Sequence, residues 1–99
     1  MTYEAMIKHT PGRFFLIMHN REAILEYKIR SDGKSRKMEI YSVFVPQELR
    51  GGDIAGHLAR DAFKWAEKND MKVIPSCPYV KDKFLVDNPG FKKIVISEE

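Results

Sequence analysis

One junction restricts the architectures open to this chain more than any other feature. Val43-Phe44-Val45 ends an apolar strand, Pro46 to Asp53 breaks it with Gly51 and Gly52, and from Ile54 the apolar period lengthens to between three and four residues. A strand that gives way to an amphipathic helix through a glycine turn returns that helix onto its own sheet. Such a helix start also presents backbone N–H groups without intrahelical partners and a partial positive charge, an arrangement suited to phosphate. Downstream, Ser76-Cys77-Pro78-Tyr79 carries the one cysteine of the chain at the end of another apolar run. An anion cradle followed by a lone thiol points to thioester chemistry.

Before the junction the sequence alternates. Tyr3 to His9 reads as a short strand closed by Thr10-Pro11-Gly12. Phe14 to Met18 reads as a strand apolar on both faces, and His19-Asn20-Arg21-Glu22 as a polar hairpin connection. Ala23, Leu25, Tyr27 and Ile29 alternate with charged residues, a strand with one wetter face. Ser31 to Lys37 is a charged turn containing Asp32-Gly33, and Met38 to Val45 is the next strand.

After the junction Ile54, Leu58, Ala62 and Trp65 form one helical stripe, widened by Ala55, Ala59, Phe63 and Ala66. Asn69-Asp70 ends that helix, and Lys72 to Ser76 is a strand. Pro78 suits the first turn of a shorter helix reaching Val86. Asp87 to Gly90 is a turn, and Phe91 to Ile96 supplies a last strand. The expected fold is α+β: a mixed, mostly antiparallel sheet, a main helix after the fourth strand, and a shorter second helix. Residues 1–99 are expected to form a single domain, since this length leaves no room for a second core.

Composition narrows the partners. Net charge is +3, a mild excess that a solvated surface accounts for, and the aromatics sit within apolar runs rather than between exposed basic residues. The base-stacking pattern of a nucleic-acid binder is therefore missing. No apolar run reaches the roughly 20 residues of a membrane span. A single cysteine forms no internal disulfide, and the first residues show no basic segment followed by an apolar core, so a cytoplasmic location is expected. His9, His19 and His57 have no metal-ligand spacing with one another or with Cys77.

The order meander, Val45-Pro46, Arg50-Gly51, Ile54-Ala55, helix, Ser76-Cys77-Pro78-Tyr79, Asn88-Pro89-Gly90-Phe91 resembles the GCN5-related N-acetyltransferases. It is most similar to their smallest, single-domain branch, which carries a cysteine on the strand after the main helix. The resemblance implies an acetyl-CoA site. Val43, Phe44 and Val45 would offer backbone groups to the pantetheine arm of coenzyme A, and Arg50, Gly51, Gly52, Asp53, Ile54, Ala55 and Gly56 would wrap its diphosphate. Cys77 would lie by the cofactor thiol and take part in moving acetyl to an amine acceptor.

Three positions depart from the family pattern. The superfamily loop runs Gln/Arg-x-x-Gly-x-Gly/Ala, and its central glycine falls on Asp53. An aspartate tolerates positive φ, but as an N-cap it would occupy the amides that a diphosphate needs. Ser42 stands where the branch often has histidine, and Phe84 stands near the tyrosine that protonates the departing thiolate, with Tyr79 the nearest replacement. These departures keep a second reading open, a catalytically impaired CoA-binding or protein-interaction module on the same fold.

The residues also have plainer roles. A lone cysteine is most often a small buried hydrophobe and needs activation before it attacks a thioester. A glycine pair is most often a turn, and Lys81 and Lys83 are by default solvated rather than bound to a CoA phosphate.

Overall fold

The computed structural model describes residues 3–96. Helical turn α1 (Tyr3–Met6) leads into strands β1 (Lys8–Thr10), β2 (Arg13–Met18), β3 (Arg21–Ser31) and β4 (Arg36–Phe44). Helix α2 (Ile54–Lys68) crosses to strand β5 (Lys72–Pro75), and a second helical segment ends in α3 (Leu85–Asp87). The strands lie in sequence order; the first four are antiparallel, and β5 pairs in parallel with β4.

Local sequence sets the turns. His19 and Asn20 both take positive φ, 52° and 61°, which a two-residue hairpin loop demands at both central positions. That turn fixes Met18 opposite Arg21 and so the whole β2–β3 register. The long helix ends where Asn69 donates its side-chain amide to the Trp65 carbonyl at 2.8 Å and Asp70 turns to φ 58°.

The core lies between the sheet and α2. Leu16, Leu25, Met38 and Ile40 from the strands meet Leu58, Ala62 and Phe63 from the helix, all fully buried. Alternation along β4 is interrupted once. Tyr27 faces Ile40, the next β3 residue back, Glu26, faces Ser42, and Tyr41 is left over as a bulge. Because side chains alternate with a period of two, one extra residue exchanges the faces. Met38 and Ile40 point inward before the bulge; Val43 and Val45 pack on the core after it, and Phe44 turns outward with 55% of its surface exposed.

Several expectations are corrected. Tyr3 to His9 is not one strand: 3–6 winds into a helical turn, in keeping with Glu4-Ala5-Met6 being good helix formers, and only Lys8–Thr10 is extended. Phe14 to Met18 is buried on one face alone, since Ile17 is 54% exposed, and Ile29 is 40% exposed where β3 runs past the core. Phe91 to Ile96 is not a strand. Pro89–Ile94 forms a 3-10 helix that brings Phe91 against Phe63 and Phe84, and only Val95 bridges to Val73. The second helix begins at Pro78 as expected, but Val80–Phe84 is wound as a π-helix.

Candidate active site at a strand fork

β4 and β5 pair from Lys37 and Lys72 to Ile40 and Pro75, then part. Pro75 and Pro78 bracket the fork, and neither has an N–H to carry a ladder further. Two bonds pin its apex. The Cys77 N–H donates to the Ile40 carbonyl at 3.0 Å, and the Ser76 hydroxyl donates to the Glu39 carboxylate at 2.5 Å. The Ser76 bond, helped by Arg30 and Lys28, holds the Glu39 carboxyl below its usual range despite partial burial. Beyond Ile40, β4 pairs with β3 alone among the described strands, so one edge of Ser42 to Phe44 has no strand beside it.

Past the strand, Pro46 opens a 3-10 turn, Gln47–Leu49, in which Leu49 is buried. Arg50 folds back, its Nε donating to the Val45 carbonyl at 3.1 Å. Gly51 adopts φ 105°, a conformation that disfavours any side chain. Asp53 stands at φ 56°, the left-handed conformation expected where the family pattern has glycine. Its carbonyl accepts the first helical hydrogen bond, from the His57 N–H at 3.1 Å.

The side chain of Asp53 does not cap the helix. The N-cap bond expected from the sequence is therefore absent, because a left-handed cap residue does not aim its carboxylate at the amides as an extended one does. The carboxylate lies instead over Gly56, where an added Cβ would sit 2.6 Å from both of its oxygens. Ile54 and Gly56 are buried in the first turn and Ala55 is half-buried. Gly52 has its own neighbour: a Cβ there would meet the Tyr3 phenol oxygen at 2.4 Å. Nothing in the sequence near Gly52 signalled that contact.

The second helix begins at Pro78. Cys77 precedes it, is only 5% exposed, and its carbonyl accepts the Lys81 N–H at 3.1 Å. Its backbone marks the apex of the fork, and its side chain belongs to the buried core cluster. Half-buried Tyr79 follows. Burial first, then the carboxylates of Asp53 and Asp87, push its phenol up to about 12, against the opposing pull of Arg60. Tyr79 keeps its proton at any physiological pH and is equipped to donate a hydrogen bond.

Other candidates have plainer surroundings. Phe84 is 1% exposed and packs on Phe63 and Phe91 with ring centroids 5.3 and 5.7 Å away, so it serves the core. Lys83 pairs with Asp87 at 2.9 Å, and Lys81 is exposed. Ser42 sits opposite Glu26, and His57 meets the Tyr3 ring edge-on at 5.4 Å. Clefts of about 300 Å³ beside Trp65 and about 430 Å³ beside Ser35 include neither residues 43–56 nor Cys77.

A family model described as GCN5-related N-acetyl-transferase matches residues 13–94. The match takes in β2 to β5, the glycine loop, both helix starts and Cys77.

Proposed function

The chain belongs to the GCN5-related N-acetyltransferase family, and from that premise we propose that it binds acetyl-CoA and transfers the acetyl group to an amine. The observation that carries this reading is the parting of β4 and β5 at Ile40 and Pro75. A strand edge without a neighbour offers backbone donors and acceptors to an extended pantetheine arm, as an added strand would. Val43, Phe44 and Val45 are assigned to that arm. Arg50 to Gly56 are assigned to the diphosphate, whose charge suits the amides that the Asp53 side chain leaves uncapped.

In this reading the neutral amine attacks the thioester carbonyl, backbone N–H groups of β4 would stabilise the oxyanion that develops, and as the C–S bond breaks the proton shed by the new amide nitrogen passes to solvent. The CoA thiolate departs toward Tyr79, whose firmly held proton makes it a hydrogen-bond donor to the leaving sulfur. Cys77 at the fork apex is the residue through which acetyl passes if transfer is relayed. Its burial restricts that route to moments when the fork opens.

Incubation with isotope-labelled acetyl-CoA and a panel of polyamines and peptide amines, read by intact mass, tests the proposal. Label on an amine supports transfer, and label retained on Cys77 supports the relay. No label on either, together with measurable CoA binding, favours the impaired module. Asp53 favours that second reading, because an exposed carboxylate at the start of α2 repels a diphosphate even though it leaves the amides uncapped.

A further inference from the structure

The glycine pair has two separate explanations, and only one of them concerns the backbone. Gly51 is required by its φ of 105°, whereas Gly52 leaves room for Tyr3, whose phenol oxygen would lie 2.4 Å from a Cβ at that position. The Tyr3 ring continues onto the first turn of α2, edge-on to His57 at 5.4 Å. Tyr3, Met6 and Ile7 all pack against the core, so the turn is anchored across the start of α2. It also precedes the residues that the family model matches.

We propose that α1 is a latch over the cofactor loop, with the Tyr3 phenol on Gly52 as its pin, and that the diphosphate of CoA enters only when this turn swings away. The proposal rests on the acetyl-CoA reading above. The closed latch takes up the approach to the loop, so apparent affinity is reduced by the fraction of molecules that are open. Its hold consists of Tyr3, Met6 and Ile7, each only partly buried, so the ligand can displace it. Pantetheine, which lacks the diphosphate, engages the strand edge and is not gated.

Calorimetric titration of the full chain and of Tyr3→Ala with CoA and with pantetheine tests the latch. A latch closed about nine-tenths of the time predicts roughly tenfold tighter CoA binding in Tyr3→Ala, with pantetheine affinity unchanged. Tyr3→Phe keeps the ring against His57 and loses the oxygen over Gly52, so it is expected to fall between; thermal melts establish that each variant is folded. If the full chain binds CoA and folded Tyr3→Ala binds it no better, the latch is wrong and the cofactor reading stands. Weaker binding in Tyr3→Ala would make Tyr3 a cofactor contact and overturn the latch equally. If neither protein binds CoA or pantetheine, both proposals fail together.

Discussion

The carboxylate of Asp53 rests on Gly56, so close that a Cβ at position 56 would be 2.6 Å from each of its oxygens. This contact explains how a charged residue occupies the central position of the loop without filling the helix start. The left-handed backbone turns the side chain along the first turn, over the one residue with no side chain to obstruct it.

The arrangement predicts a coupling between the two positions. Alanine is favoured over glycine inside a helix by about 1 kcal/mol, yet a methyl at position 56 obliges the exposed Asp53 carboxylate to rotate aside. Gly56→Ala is expected to gain less stability in the parent chain than in an Asp53→Gly background. Chemical denaturation of the four proteins measures the coupling; additive effects would show that the carboxylate lies elsewhere in solution.

On the acetyl-CoA reading proposed above, Asp53→Gly is also expected to tighten CoA binding. Like charges about 4 Å apart repel by about 1 kcal/mol at a water-exposed position, roughly fivefold in affinity. The fold should not suffer, since no cap bond is lost and glycine adopts φ 56° freely. Equal CoA affinities for the two proteins would mean that the carboxylate and the diphosphate never approach each other.

Tyr79 responds to the same carboxylate. Its phenol is pushed up to about 12 by burial and then by Asp53, so its ultraviolet ionisation step should come well above the ordinary value near 10. Asp53→Asn should move that step down, and Tyr79→Phe should abolish it. The sign of the linked stability follows from the protonated form being favoured in the folded state. The contribution is fully present below pH 10 and is lost as pH rises through about 12. Denaturation midpoints of the parent chain should therefore fall more steeply than those of Tyr79→Phe across that window. Parallel curves would place the phenol in open solvent.

Much of this architecture was legible because its determinants are local. The connection after Met18, the stripe from Ile54 to Ala66 and the Asn69-Asp70 stop each need only neighbouring residues, although the turn is confined to His19-Asn20 and the expected loop residues Arg21 and Glu22 already pair in β3. What escaped depends on distant partners. The bulge at Tyr41 follows from how β4 lies on β3, and no residue near 41 announces it. Phe91 to Ile96 has strand-like composition, yet the Phe63–Phe84 pair draws Phe91 inward and leaves a single bridge at Val95. At the site, the positive φ of Asp53 was readable from the motif, whereas the direction of its side chain and the seat of Tyr3 on Gly52 were not.

Phe84 offers a test of whether the superfamily tyrosine can simply be restored. At 1% exposure between Phe63 and Phe91, it has no space for a hydroxyl with a partner. Phe84→Tyr is expected to cost about 1–3 kcal/mol, the penalty of an unpaired buried polar group, and to bring no increase in acetyl transfer. A stable variant with a higher transfer rate would relocate Phe84 from the core to the site.

His9 lies away from the fork and gives the fold its own pH dependence. Its ring stacks on Phe14 at 3.9 Å, meets Trp65 edge-on at 4.7 Å and shares a hydrogen bond with the Tyr27 hydroxyl at 2.5 Å. The residue is exposed overall, but these neighbours shield the ring from water, and burial lowers its pKa from 6.5. A depressed value means that the folded state resists taking a proton that the unfolded chain accepts. The contribution to stability is thus complete above about pH 6.5 and is lost as pH falls through the folded value. His9→Phe preserves the stack and removes the titration. Melting temperatures of the parent chain should drop relative to this variant as pH goes from 7.5 to 5, and a constant gap would show that the imidazole titrates as it does in the unfolded chain.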